Sequence, residues 1–326
     1  MAVEPIGIGL IGLGRHGMRY ARHLGECAPH ARLMAVSRRD AAQGEAFAVQ
    51  HGVRFYHDYH DLIADAHVRA VIVVTPPALT SAICMAAVRA GKPLLIEKPL
   101  ACTGTAAKAM VEAAEAAGVP LMTAQTLRFD SVIQALKAEV SKASRPCYVT
   151  ATYRLERDTS VRKAFVECGQ PGMLLEIGTH LFDLIRFLTE EDVAEVRCEM
   201  GHSGHAASET RALVSLRTTG QLSCIVDISR VGTSRVSRVE WIGEQVQLQA
   251  DWVQHHLTRL GPQQRVDEWS APPCQTVLET IRAFLTALQR GGPMPITGWD
   301  GYKAVAIADA CYESAATSRL VRLAEP

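Results

Sequence analysis

Ile6-Gly7-Ile8-Gly9-Leu10-Ile11-Gly12-Leu13-Gly14-Arg15-His16-Gly17 decides how the rest of the chain is read. Residues 6–11 form a short apolar run entered through Pro5, as a buried strand would be. Residues 18–24 read as a helix, so Gly12-x-Gly14-x-x-Gly17 stands between strand and helix, the setting in which this spacing carries meaning. Gly12 permits a tight turn, Gly14 lets the backbone approach a pyrophosphate, and Gly17 lets helix and strand pack closely. The helix N-terminus then offers its free N–H groups to phosphate. A dinucleotide site is expected here.

Working outward, a second strand over 32–36 delivers Ser37-Arg38-Arg39-Asp40. An acid at this strand end would accept hydrogen bonds from a ribose 2′-OH, but the position is Ser37 with two arginines behind it. Guanidinium suits a 2′-phosphate, and Asp40 fits better as the N-cap of a helix over 41–50 that Gly52 closes. NADP is therefore expected in preference to NAD. The alternation continues with a strand at 53–56, a short helix at 59–64, and a strand at 70–74 ending in Thr75-Pro76-Pro77. A helix over 79–90 follows, closed by Gly91. The apolar run Leu94-Leu95-Ile96 ends in Glu97-Lys98-Pro99. A helix capped by Thr103 and a sixth strand over 121–124 complete the series. Such alternation implies a parallel, doubly wound sheet over residues 1–124. Ligands of such sheets bind outside the carboxyl ends of the strands, which aims Lys98 at a ligand. Pro99 keeps Glu97-Lys98 extended and offers a cis bond that would fix the direction of Lys98.

At 326 residues the chain is long enough for two domains, and its 34 basic and 34 acidic residues balance. That balance gives no electrostatic case for nucleic acid or a membrane surface, and no apolar run is long enough to span a bilayer. The N-terminus lacks the pattern of a signal peptide. Nine scattered cysteines without a CxxC read as reduced thiols of a cytoplasmic protein. His202-x-x-His205 and His255-His256 lack convincing further ligands and read as solvated, so no metal is expected. No GxSxG or Cys-His pattern supports a nucleophilic mechanism.

From Gln125 onward the pattern changes, and residues 125–326 are expected to form an α/β domain with a large, mostly antiparallel open sheet. A helix at 131–140 and a strand at 148–154 precede a loop ending at Gly169-Gln170-Pro171-Gly172. Strand candidates follow at 193–198, 211–217, 221–228, 235–242, 245–250 and 252–259, with closing helices near 274–289 and 300–318. A helix over 173–188 is apolar around most of its circumference. Glu176, His180 and Asp183 interrupt it at i, i+4 and i+7, one stripe of an α-helix. Burying these three groups is costly unless they pair or meet a ligand. The stripe is either a polar cluster that docks the helix or a general acid/base His180 tuned by flanking carboxylates.

Together these motifs resemble the glucose–fructose oxidoreductase, inositol dehydrogenase and rhizopine-catabolism (Gfo/Idh/MocA) family over essentially the whole chain. The resemblance rests on Gly12–Gly17, Thr75-Pro76-Pro77, Glu97-Lys98-Pro99, Arg128-Phe129 and Glu176-x-x-x-His180-x-x-Asp183. Gly298-Trp299-Asp300-Gly301 and Ala310-Cys311-Tyr312-Glu313-Ser314 also fit. It implies a Rossmann domain followed by an α/β domain whose open sheet makes subunit contacts, so a homo-oligomer (dimer or tetramer) is expected. It implies that Gly12, Leu13, Gly14, Arg15, His16, Gly17, Ser37, Arg38, Arg39, Thr75, Pro76, Pro77, Glu97, Lys98 and Arg128 contact the cofactor. Lys98 and His180, with Glu176 and Asp183, would polarise and protonate a substrate oxygen as hydride moves. The chain departs from the family in Glu176, where Asp is usual, and in Thr80, where His is common. The expectation is an NADP-preferring oxidoreductase acting on a hydroxyl/ketone pair of a sugar, polyol or related cyclic small molecule. The alternatives are a C=N or C=C reductase on the same scaffold, and a non-catalytic dinucleotide-binding sensor or partner subunit.

Overall fold

The computed structural model describes residues 4–156, 168, 172–202, 208–264 and 266–324. They gather into two compact units, Met1–Thr126 with Thr276–Tyr302, and Leu127–Gln275 with Lys303–Pro326. The loop glycine Gly169, its neighbours Gln170 and Pro171, and His205 lie outside the described residues.

In the first unit, β1 (Ile6–Ile11), α1 (Arg15–Gly25), β2 (Ala31–Ser37), α2 (Ala41–His51), β3 (Arg54–Tyr56) and α3 (Tyr59–Ala64) make the first half of the winding. The second half is β4 (Ala70–Val73), α4 (Pro77–Arg89), β5 (Leu94–Glu97), α5 (Gly104–Ala116) and β6 (Leu121–Ala124). The strands form one parallel sheet in the order β3-β2-β1-β4-β5-β6. Every residue of β4, β5 and β6 is buried, which explains why these strands read as continuous apolar runs without alternation. Order reverses between β1 and β4, so a crevice opens at the carboxyl ends of these two strands. Asp40 caps α2 by accepting from Gln43 N at 3.0 Å, and Gly52 closes it at φ 63°. Helix α4 begins at Pro77, two residues earlier than the sequence suggests, because proline at the first helical position lacks only an N–H that would be unpaired anyway.

The second unit holds α6 (Ser131–Val140), β7 (Tyr148–Glu156), a π-turn (Leu174–Gly178), α7 (Thr179–Thr189) and β8 (Val193–Gly201). It continues through β9 (Arg211–Thr218), β10 (Ser223–Gly232), β11 (Val236–Ile242), β12 (Gln247–Asp251), β13 (His256–Leu260) and β14 (Val266–Ser270). With β15 (Val321–Arg322) these make a nine-stranded sheet, β14-β13-β12-β11-β7-β10-β9-β8-β15, antiparallel except at β7–β10. Strand β9 alternates without a break. Ala212, Val214, Leu216 and Thr218 are buried, while Leu213 and Ile225 of neighbouring β10 stand exposed on the other face.

Three elements differ from the sequence reading here. The stretch Trp252–His255 is a turn, because the Asp251 carboxylate accepts from Val253 N and Gln254 N, both at 2.9 Å, and bends the chain before β13 can start. Strands β14 and β15 lie at the sheet edges, where short segments leave little periodic signal. The cysteine expectation is corrected as well. Cys102 and Cys168 are disulfide-bonded, whereas Cys27, Cys84, Cys147, Cys198, Cys224, Cys274 and Cys311 take part in no disulfide. Scattered spacing carries no information about which cysteines are oxidised.

Helix α8 (Thr276–Arg290), expected with the second domain, packs in the first unit against α1 and β6. It buries Val277, Leu278, Ile281, Phe284 and Leu285, one helical face at i, i+1, i+4, i+7 and i+8. Helix α9 (Gly298–Thr317) follows, and no described helix is long and apolar enough to cross a membrane. Phe284 is fully buried, and Phe284→Ala is expected to destabilise the first unit by roughly 3–5 kcal/mol through cavity formation. Hydrogen exchange read by segment checks this. Protection should fall in α1 and β6 before it falls in β8–β10, and loss confined to the second sheet would contradict the assignment.

Candidate active site

Residues Gly12–Gly17 in the first unit form a bare cradle. Gly12 sits at φ 98°, and a Cβ there would lie 2.3 Å from the Val74 carbonyl oxygen. A Cβ at Gly17 would stand 1.9 Å from the Gly12 carbonyl oxygen, so this position admits no side chain without moving the loop. At Gly14 the contrast is informative, because a Cβ would meet nothing within 4 Å. That open side is the face a pyrophosphate requires. Gly14 is also the N-cap of α1, makes no side-chain cap, and leads into a first turn without acidic residues. The helix end therefore keeps its N–H groups and positive dipole end for an anion.

The crevice beside this loop is a cavity of about 450 Å³. Gly12, Gly14, Thr75 and Pro76 line one part of it, and Ser37, Arg38, Arg39, Asp40, His57 and Tyr59 line another. Gly12 N donates to the Ser37 carbonyl at 2.9 Å and so ties the glycine turn to the end of β2. Ser37 is buried, Arg38 is half-buried and Arg39 is exposed. Asp40 accepts from both the backbone and the side chain of Gln43, which commits its carboxylate to the start of α2. His57 and Tyr59 were not anticipated as site residues. They follow β3, and only the strand order β3-β2-β1 places them beside the arginines. Pro77 is buried as the first residue of α4. Thr80, where the family commonly has His, lies 2.8 Å from the Pro77 carbonyl and 2.7 Å from that of Leu100. It binds the start of α4 to the segment after Lys98.

Glu97 ends β5 and is buried. Its Oε1 accepts from His16 Nε2 at 2.6 Å and from the Tyr20 hydroxyl at 3.0 Å, and its Oε2 accepts from Lys98 N at 2.7 Å. The motif residue Glu97 is thus engaged by the protein itself, and it locks the cradle helix α1 onto the strand that carries Lys98. Burial pushes the Glu97 carboxyl up. The hydrogen bond and charge of His16, the charge of Lys98 and the Tyr20 hydroxyl outweigh burial and hold it below its ordinary value. Burial and then the Glu97 charge push Tyr20 well up. Lys98 is half-buried, and its bond to Pro99 is cis.

In the second unit the expected stripe is distributed differently. Glu176 lies within the π-turn Leu174–Gly178, where bonds close from i to i+5, so Glu176, His180 and Asp183 do not follow simple α-helical spacing. Glu176 Oε2 accepts from Arg230 Nη2 of β10 at 3.0 Å. Asp183 is 1% exposed and accepts two bonds from Arg128, Nε at 2.8 Å and Nη2 at 2.6 Å. Arg128 also lies 5.3 Å over the Phe187 ring. Each flanking carboxylate therefore has a guanidinium, and Arg128, expected as a cofactor residue, is bidentate to Asp183. His180 is half-buried on the first turn of α7. At the head of the π-turn, buried Glu209 accepts from Leu174 N at 3.0 Å and from the Tyr312 hydroxyl at 2.8 Å, and burial pushes its carboxyl up. Neither Arg230 nor Glu209 carried any local sequence signal.

Comparison with known proteins agrees with this geometry. The model for an oxidoreductase family with an NAD-binding Rossmann fold matches residues 6–125, and that of the GFO/IDH/MocA C-terminal domain matches residues 139–249. An inositol 2-dehydrogenase of Saccharopolyspora erythraea is 30% identical over 95% of this chain and 93% of its own length. A D-apiose dehydrogenase of Paraburkholderia graminis is 28% identical over 89% of this chain and 81% of its own. The crystal structure of a probable dehydrogenase from Thermotoga maritima superposes with a TM-score of 0.84 at 27% identity, covering 97% of this chain and 98% of that one. The chain belongs to the Gfo/Idh/MocA oxidoreductase family.

Folded Glu97 releases its proton more readily than the unfolded chain does. Its contribution to stability is therefore complete above the ordinary glutamate range and is lost as pH falls through the folded value. Glu97→Gln should lose less melting temperature than the parent between neutral and acid pH. Identical acid slopes for the two proteins would contradict the clamp.

Proposed function

We propose that this chain is an NADP-preferring dehydrogenase acting on a hydroxyl/ketone pair of a sugar, polyol or related cyclic compound. The observation that carries the reading is Lys98, set at the carboxyl edge of the parallel sheet with its backbone N–H fixed by the same carboxylate that anchors the phosphate cradle. The relatives named as inositol and apiose dehydrogenases support the substrate class. Arg38 and Arg39, with His57 beside them and Asp40 committed to α2, support a 2′-phosphate over a free 2′-OH. Bound cofactor supplies the hydride acceptor or donor. The chain's own residues do the rest. The Lys98 ammonium stabilises negative charge on the substrate oxygen, and His180 supplies or removes its proton. Glu176 and Asp183, each held by an arginine, fix the helix that presents His180. The exposed sheet face bearing Leu213 and Ile225 supports self-association into a homo-oligomer.

Two measurements test this reading. Arg38→Ala should weaken NADPH binding by roughly 1.5–3 kcal/mol, the scale of a charge-assisted hydrogen bond, and leave NADH nearly unaffected. Clear NAD selectivity in the parent protein would sink the assignment. Lys98→Met keeps bulk while deleting charge, so NADPH should still bind while kcat falls at least about a hundredfold. A folded Lys98→Met protein with undiminished kcat on a polyol would refute the role of Lys98.

A further inference from the structure

Just past the ends of two strands of the parallel sheet, two buried side-chain oxygens, Thr75 Oγ1 and Gln125 Oε1, have no hydrogen-bond partner among the described residues. Thr75 follows β4 by two residues and Gln125 follows β6 directly, with β5 between them ending at Glu97. Gln125 is 2% exposed. A buried amide oxygen left without a donor is costly, and native proteins rarely keep one unless a ligand or water completes it.

The strand order says what that ligand is. Over the ends of β1, β2 and β3 lie the glycine cradle and the Ser37–Asp40 crevice, which take the diphosphate and the adenosine end. A dinucleotide held at β1 extends its other half across β4, β5 and β6, where Thr75, Lys98 and Gln125 stand. The group to be met there is a planar aromatic amide, whose N–H groups need an acceptor in a dry setting. Glu97 is already engaged by His16, Tyr20 and Lys98 N.

Resting on the dinucleotide reading above, we propose that Gln125 binds the carboxamide of the nicotinamide ring, its Oε1 accepting a carboxamide N–H, with Thr75 completing the polar lining across β5. Gln125 is then a positioning residue, which holds the ring in one orientation at the strand end that carries Lys98.

Calorimetric titration of the intact protein with NADPH and with 2′,5′-ADP, which lacks the nicotinamide half, separates this role from a structural one. Gln125→Leu should weaken NADPH binding by about tenfold, the scale of one buried hydrogen bond, and leave 2′,5′-ADP unchanged. Gln125→Met, equally long and without an amide, should behave alike and serves if leucine perturbs the fold. The 3-acetylpyridine analogue of NADPH, which keeps the carbonyl and lacks the amide N–H, should bind the parent more weakly than NADPH does. The variants should bind both equally. Removing an unpaired buried amide should also leave the melting temperature of the cofactor-free protein equal or higher. Parent-like NADPH affinity in both variants would overturn the proposal, as would parallel losses of NADPH and 2′,5′-ADP. A parent protein preferring NADH sinks only the NADP reading, since NADH and ADP then make the same comparison. A parent that binds neither dinucleotide overturns both.

Discussion

The buried carboxylate of Glu97 is the contact on which the first unit depends. Three donors from two elements converge on it, His16 and Tyr20 from α1 and the backbone N–H of Lys98 at the end of β5. A carboxylate in such a place is costly to bury and is retained because each lone pair it turns inward finds a donor. One consequence is mechanical. The glycine loop cannot shift relative to Lys98 without breaking a charge-assisted hydrogen bond, so a phosphate seated on α1 is fixed with respect to the ammonium that would meet the substrate. A second is electrostatic, since the cluster holds Glu97 ionised beside Lys98.

The second unit uses the same device in a different place. Asp183 and Glu176 each take an arginine, Arg128 and Arg230, and Glu209 holds the head of the π-turn with Tyr312. Replacing Asp by Glu at position 176 adds a methylene, and the longer side chain reaches a guanidinium presented by β10. A π-turn inserted ahead of an α-helix re-aims the residues that follow it, and such insertions are frequent at functional sites. Together these contacts fix the direction of the first turn of α7, which carries His180.

Much of this was legible where the physics is local. Gly12, Gly14 and Gly17 could be assigned distinct roles because a turn, an open backbone face and a close packing contact each demand glycine for their own reason. Asp40 could be read as a cap, and Lys98 as a strand-end residue, from a few neighbours. Glu97 was harder, because its partners are 77 and 81 residues away and nothing in Glu97-Lys98-Pro99 announces them. The π-turn was hidden because residues 173–188 are apolar nearly all round, and such a pattern fits more than one helical repeat. His57, Arg230, Glu209 and Gln125 stand alone in sequence, and only strand order and register give them neighbours. Helix α8 carried a clear amphipathic face but no mark of which unit it would cover.

Glu97 couples the phosphate cradle to Lys98. A double-mutant cycle on His16→Ala and Glu97→Gln, reading NADPH affinity together with the single-turnover rate of hydride transfer, tests it most directly. Each single change should weaken both quantities, and the double variant should be little worse than Glu97→Gln alone, because His16 acts through that carboxylate. Losses that simply add, or a Glu97→Gln protein with parental affinity and rate, would contradict the account.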